Sequence, residues 1–116
     1  MDMKKKCVPC HLTGEPLKGV QIHEAMDNLG GEWEALENHR LHKAYHFKNF
    51  KEALIFTNEI GEIAEIEGHH PIITLKWGEV IVDLFTHAIN GLSMNDFILA
   101  EKIETIYLAR FSKNLS

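Results

Sequence analysis

Two adjacent histidines, His69 and His70, are the residues whose type and position most directly suggest chemistry in this chain. They follow Gly68 and precede Pro71, at a point where a helical pattern ends and a strand pattern begins. Side chains at such a junction can project into one cleft, and a proline restricts the backbone of the residue before it. Histidine pairs are also common on solvated surfaces, and neighbouring strand residues point to opposite faces, which disfavours a shared metal ion.

A third histidine, His87, lies where a hairpin would return the chain to this pair. Gly78 and Glu79 are predicted to form a two-residue turn. Counting back from that turn places His87 opposite His70, with His69 one residue away. Imidazoles with an ordinary pKa of about 6.5 can include both a proton donor and a proton acceptor at neutral pH. An elimination of water requires that pairing.

The elements that must position these histidines follow from hydrophobic periodicity. A short helical stripe begins at Ile22, and a first hairpin is expected to turn near residues 38–40. A main helix is predicted from Asn49 to Gly68, a second hairpin follows it, and Ser93 opens a last helix. This order, α-β-β-α-β-β-α, predicts an α+β fold with a four-stranded antiparallel sheet and helices packed on one face.

The length of 116 residues accommodates a single domain. Hydrophobic residues make up 45% of the chain and charged residues 25%, which is typical of a globular protein. We expect an irregular N-terminal extension over residues 1–20, one domain over residues 21–112 and a C-terminal tail over residues 113–116.

The charge balance limits the classes of partner. Twelve Lys and Arg against 17 Asp and Glu leave a net charge of −5, which argues against direct nucleic-acid binding. No stretch of about 20 apolar residues occurs, so no membrane partner is expected. The basic run at residues 4–6 lacks the apolar segment of a secretory signal, and a cytoplasmic location is therefore expected.

One face of the predicted sheet has no helices to cover it. Ile81, Phe85 and either Ile72 or Ile73 would lie on that face and are too apolar for a free surface. Association with a second copy is expected, as a homodimer or a homotetramer.

Several short segments together resemble the pterin-4a-carbinolamine dehydratase family. The resemblance covers about residues 22–107. Each segment is weak alone, but their order and spacing are specific. The segments are His69-His70-Pro71, the hairpin that follows, Thr86-His87, Gly91-Leu92-Ser93 with Asp96, and the run Tyr45-His46-Phe47-Lys48-Asn49-Phe50.

The resemblance implies an enzyme, a hydro-lyase that removes water from a 4a-hydroxytetrahydropterin to give the quinonoid dihydropterin. This reaction recycles the tetrahydrobiopterin used by aromatic amino acid hydroxylases, and no metal or organic cofactor is implied. His69, His70 and His87 match the family's active-site histidines. We assign His69 and His87 as the acid and base and His70 as the residue that orients the pterin. Substrate contacts are expected from Gly68, Pro71, Thr86 and Asp83.

The chain departs from the animal pattern of this family at three positions. Gly68 stands where an acidic residue usually precedes the histidine pair, Ile73 stands where an aromatic residue is expected, and Ala88 replaces an acidic residue after the third histidine. Two carboxylates that would raise imidazole pKa values and bind the pterin edge are therefore missing from those positions. Asp83 could substitute for them, or it could be a solvated surface residue.

Two other function classes stay open. The chain could act as a protein-binding module, because the resemblance implies that animal relatives also serve as a dimerisation cofactor for a transcription factor. It could also bind metal, with Cys7, Cys10 and His11 as weak candidate ligands. Their C-x-x-C-H spacing is formally a haem attachment motif, and a zinc site would need two more ligands from His11, His23 or another subunit. A reduced cysteine pair in an N-terminal extension is the simplest interpretation.

Overall fold

The computed structural model describes residues 15–111, and in this range the chain forms three α-helices and one four-stranded sheet. The elements in chain order are α1 (Gly19–Leu29), β1 (Glu34–Leu36), β2 (Arg40–His46), α2 (Phe50–Glu67), β3 (Ile72–Lys76), β4 (Glu79–Leu84) and α3 (Met94–Arg110). A one-turn 3₁₀ helix, His87–Ile89, lies between β4 and α3. The predicted α+β class and the order of its elements are confirmed.

Helix α2 begins and ends at the two residues predicted to bound it. The Asn49 side chain accepts a hydrogen bond from the backbone N–H of Glu52 at 2.9 Å, which satisfies one of the unpaired donors of the first turn. Gly68 ends the helix in the left-handed conformation, with φ of 66°. A residue with a Cβ is strained there, so the glycine allows the sharp reversal that leads into the histidine pair.

The sheet has the strand order β1-β2-β4-β3, and all neighbours are antiparallel. Alternate side chains of the two central strands point to the helices and are fully or almost fully buried. They are Leu41, Tyr45, Val80, Val82 and Leu84. The side chains between them, among them Ile81, lie on the face that no helix of the described range covers.

The second hairpin has a different register from the predicted one. Lys76 pairs with Glu79, so the turn consists of Trp77 and Gly78 rather than Gly78 and Glu79. A shift of two positions in the pairing keeps every side chain on its own face, which is why the alternation of the sequence could not distinguish the two registers.

Contacts outside the hairpin select the observed register. The backbone N–H of Phe47 donates to the carbonyl of Gly78 at 2.9 Å. A Cβ at Gly78 would lie only 3.0 Å from the Phe47 carbonyl oxygen, so glycine fits best at this position of the turn. The strands also end earlier than expected: His70 precedes β3 and His87 follows β4, so the predicted cross-strand pairing of these two residues is wrong.

A buried polar cluster joins the sheet to α3. The Tyr45 hydroxyl donates to Glu104 Oε1 at 2.6 Å, and Lys43 Nζ donates to the same oxygen at 2.7 Å. All three side chains are largely or fully buried, so the two donors compensate a carboxylate that water cannot reach freely. Within residues 15–111, no helix combines the length and the apolar character needed to cross a bilayer.

Replacing Tyr45 with Phe is expected to lower the free energy of unfolding at neutral pH by about 1–2 kcal/mol, because Glu104 loses one donor and keeps Lys43. Burial and then the hydrogen bond to Glu104 raise the pKa of the Tyr45 hydroxyl far above its usual value of 10.0. Folding therefore favours the neutral phenol, and this stabilisation is present below about pH 10 and lost as the pH rises further.

Urea unfolding of both proteins between pH 7 and pH 11 tests this expectation. The wild type should lose stability above pH 10 more steeply than Tyr45→Phe, while Tyr107, the other tyrosine of the chain, titrates in both. Parallel stability curves over that range would contradict the role given to burial of the Tyr45 hydroxyl.

Candidate active site

His69 is held in the interior by the reversal at the end of α2. Its backbone N–H donates to the Ala64 carbonyl at 3.2 Å, which folds the residue back over the last helical turn. Its side chain is 8% exposed, and its Nε2 lies 2.6 Å from Asp96 Oδ1. An ionised carboxylate has no proton to donate, so the ring donates from Nε2. In the neutral form of the ring, this leaves Nδ1 as the acceptor.

Asp96 joins three segments of the chain at one point. Its side chain is completely buried. Its Oδ1 accepts a hydrogen bond from Nε2 of His69. Its Oδ2 accepts hydrogen bonds from the Thr86 hydroxyl at 2.8 Å and from the backbone N–H of Ser93 at 2.9 Å. Asp96 also lies in the first turn of α3, where the helix dipole favours a negative charge. The Ser93 and Asp96 pair predicted to open the last helix is therefore confirmed, and its carboxylate also orients an imidazole.

His70 occupies a much more solvated position. Its Nε2 lies 2.6 Å from Glu65 Oε2, and the two side chains are 62% and 78% exposed. Exposed ion pairs contribute little to stability because water and salt screen them. The contact can nevertheless bias the orientation of the ring, because Glu65 lies on the last turns of α2 directly below it.

His87 lies in the 3₁₀ helix and is exposed. Its ring packs against Phe85, with the ring centroids 4.2 Å apart and the planes inclined by 53°. Within residues 15–111, no hydrogen bond joins its ring nitrogens to another side chain. Both nitrogens are therefore available to a ligand.

The three histidines line one cavity of about 250 Å³, although the sheet does not pair them. The other residues around it are Gly68, Phe85, Thr86 and Ala88. A larger cavity of about 380 Å³ lies at the β1–β2 turn, and its lining within the described range is Leu36, Glu37, His39 and Arg40, with a single imidazole. We therefore take the cavity with the three imidazoles as the candidate site.

The predicted substrate-binding residues divide into two groups. Gly68 and Thr86 line the cavity, although the Thr86 hydroxyl is already bonded to Asp96 and lies 2.8 Å from the Ser93 hydroxyl. Pro71 and Asp83 are not among the lining residues. Pro71 follows directly after His70 in the chain and is half-buried.

Asp83 is neither solvated nor close enough to line the cavity. Its side chain is 12% exposed and projects from the uncovered face of the sheet. Its Oδ1 lies 2.7 Å from His42 Nδ1 and 3.5 Å from Arg40 Nε. Asp83 is thus occupied by partners on the neighbouring strand.

The carboxylates of the site come from Glu65 and Asp96, which sequence reasoning did not assign to the histidines. Glu65 precedes His70 by five residues, a spacing that brings the two together only because Gly68 reverses the chain. Asp96 is 27 residues from His69 in the chain. Its role in capping α3 was a sufficient reason for an acidic residue at that position, so nothing in the sequence indicated a contact with His69. The one feature of the sequence that could have indicated the contact between Glu65 and His70 was an acidic residue within two helical turns before a histidine pair.

The cysteine candidates cannot be placed in this geometry. Cys7, Cys10 and His11 lie outside the described residues. Among residues 15–111, no group of three or more His, Cys, Asp and Glu side chains has an arrangement that could hold a metal ion. The cavity is lined by three imidazoles that differ in their exposure to solvent and that can donate or accept protons, and such groups suit general acid–base chemistry.

Comparisons with known proteins agree with this geometry. The family model described as pterin 4 alpha carbinolamine dehydratase matches residues 15–106. A relative from Alkaliphilus metalliredigens is 48% identical over 101 residues, which covers 87% of this chain and 91% of the relative. A relative from Rickettsia canadensis is 47% identical over 88% of this chain and 94% of the relative. Both carry the name pterin-4-alpha-carbinolamine dehydratase provisionally.

A solved structure also superimposes on the chain. It is a transcriptional coactivator/pterin dehydratase from Brucella melitensis, with a TM-score of 0.74 and 29% identity, and the match covers 79% of this chain and 98% of that one. With a family match over most of its length and relatives above 40% identity, this chain belongs to the pterin 4 alpha carbinolamine dehydratase family, a family of hydro-lyases.

Proposed function

We propose that this protein removes water from a 4a-hydroxytetrahydropterin by histidine general acid–base catalysis. The observation that carries the proposal is the cavity lined by His69, His70 and His87, in which one imidazole is tied to a buried carboxylate and another is free. The C4a–O bond breaks, the N5–H bond breaks, and the N5 electron pair forms the C4a=N5 bond of the quinonoid dihydropterin. One group must therefore protonate the leaving hydroxyl while another accepts the N5 proton.

His69 suits the part of the base. Its hydrogen bond to Asp96 selects the neutral tautomer with a proton on Nε2, which leaves the Nδ1 lone pair as the acceptor. A buried carboxylate also stabilises the imidazolium that forms when the ring takes up a proton.

His87 suits the part of the acid. It lines the same cavity and is exposed, so its ring exchanges protons with water between turnovers. Its contact with Phe85 limits the positions that the ring can take. Each well-placed proton transfer of this kind contributes roughly 10²- to 10⁴-fold to the rate.

His70 suits the part of an orienting residue. Its ring lines the cavity from the side of α2 and contacts the Glu65 carboxylate. Glu65 lies one helical turn before Gly68 and is not among the residues that line the cavity, so its carboxylate acts on the substrate only through the orientation of the His70 ring.

Recycling of tetrahydrobiopterin is the context that we propose for this reaction, following the family to which the chain belongs. The steps above are proton transfers between the substrate and protein side chains. They require no metal ion or organic cofactor.

We also propose that the uncovered face of the sheet pairs with a second copy, giving a homodimer or homotetramer. Ile72 is 47% exposed on this face, and Ile81 and Phe85 are half-buried there. The Brucella melitensis structure is described as a coactivator as well as a dehydratase, so a protein-binding role for the same face is a second candidate function.

Replacing His87 with Ala is expected to lower kcat for pterin dehydration by about 10²- to 10⁴-fold, because the leaving hydroxyl loses its proton donor. The hydroxylated pterin is generated in situ, and formation of the quinonoid product is followed by absorbance. His46→Ala is the matched control, since His46 is 66% exposed, pairs with Glu79 at the start of β4 and does not line the cavity, which lies beyond the other end of that strand. If His87→Ala and the wild type accelerate the reaction equally, His87 has no catalytic role.

Replacing Asp96 with Asn is expected to lower kcat by at least about 10²-fold, with the protein still folded. The amide can donate to Nε2 of His69 and so selects the tautomer whose Nδ1 carries the proton and cannot act as a base. The exposed Asp27 provides the control Asp27→Asn. Circular dichroism checks folding. An Asp96→Asn variant that is folded and fully active would rule out His69 as a base oriented by Asp96.

Replacing Ile81 with Lys is expected to shift the protein to smaller species in sedimentation velocity, because a charge would be buried between two sheets. Ile66→Lys is the matched control, since Ile66 is 74% exposed on α2. Dissociation by Ile66→Lys alone would place the contact on the helical side instead.

A further inference from the structure

The segment that carries His87 is short and irregular. The backbone N–H of Asn90 donates to the His87 carbonyl at 3.1 Å, and Asn90 closes the 3₁₀ helix in the left-handed conformation, with φ of 51°. On its inner side, the segment is anchored through Thr86, whose hydroxyl bonds to Asp96. The Thr86 backbone also pairs with Gly91, which closes the base of the segment. None of these bonds touches the His87 ring, so the position of the exposed imidazole depends on its contacts with neighbouring side chains.

Contacts on the outer side of the segment come from His39, which lies 48 positions before His87 in the chain. Its Nε2 lies 3.1 Å from the Asn90 side-chain carbonyl oxygen, an acceptor, so the ring donates from Nε2. Its ring also contacts Phe85, with the centroids 5.4 Å apart. Because Phe85 packs on His87 at 4.2 Å, His39 reaches the catalytic segment by two separate routes.

The β1–β2 turn holds His39 in place for these contacts. The backbone N–H of His39 donates to the Leu36 carbonyl at 2.9 Å, which closes the turn. Glu37 and Asn38 within it both have φ of 53°, a conformation that few side chains adopt readily. His39 is half-buried, so its ring is restrained by its neighbours rather than free in water.

We propose that His39 is a positioning residue for His87 in the dehydration reaction, acting through Asn90 and Phe85. The inference rests on the function proposed above, and it adds a residue from a distant hairpin to the site. His39 does not line the cavity with the three histidines. Its effect on the substrate is therefore indirect: it limits how far the exposed imidazole departs from the substrate.

Replacing His39 with Ala is expected to lower kcat by about 10- to 100-fold and to leave KM within about twofold, since small displacements of a catalytic group carry costs of this size. His39→Gln should recover most of the activity, because its amide can donate to Asn90. His46→Ala again serves as the control, as a histidine of the adjoining strand β2 outside these contacts. A His39→Ala variant as active as wild type would overturn the inference.

The effect of His39 must also depend on His87. In a His87→Ala background, the additional change His39→Ala is expected to lower kcat by less than about twofold, because the residue through which it acts is already gone. An undiminished loss in that background would show that His39 acts elsewhere and would overturn the inference.

A readout without substrate separates this inference from the proposed function. The ring protons of His87 lie against Phe85, so their NMR chemical shifts report the geometry of that pair. His39→Ala should move these signals, and His39→Gln should restore them in part. Unchanged signals overturn the positioning role. A shift of the signals in a protein that does not dehydrate pterins supports the contact geometry and refutes only the proposed reaction.

Discussion

The buried carboxylate of Asp96 is the interaction on which the rest of the site depends. It has no exposure to water, and its two oxygens receive an imidazole, a hydroxyl and a backbone N–H from three different segments. A charge in such a place is tolerated only because its hydrogen bonds and the helix dipole replace hydration. Removing one of these hydrogen-bond donors leaves part of a buried carboxylate unsatisfied, which typically costs about 1–3 kcal/mol, and more when the group is charged. The same contacts therefore hold the fold together and hold the site in shape.

This arrangement separates the three histidines by environment. His69 is buried and fixed by Asp96, His70 is exposed beside Glu65, and His87 is exposed against an aromatic ring. Side chains of the same type can serve as acid, base or orienting group in one reaction when their surroundings differ. The fold produces this difference at the end of α2. The reversal at Gly68 buries His69 against α3 and leaves His70 exposed to solvent.

The fold could be predicted from the sequence because its signals are local. The cap at Asn49, the left-handed glycine at 68 and the Ser93–Asp96 pair each act within a few residues, and each was identified correctly. The hairpin after Pro71 was predicted one position away from its true turn. A register shifted by two residues satisfies the same alternation, and the deciding contacts with Phe47 come from a segment about 30 residues earlier in the chain.

By itself, the sequence determined the α+β class and the element order, because periodicity and short motifs are written in adjacent residues, and its resemblance to the family identified the three histidines that line one cavity. Tertiary structure alone decided that His69 meets Asp96, that Asp83 is occupied by His42, and that His39 reaches the segment of His87. These contacts join residues from 27 to 51 positions apart. They exist only once the helices have packed on the sheet, because no short-range preference of the chain encodes them.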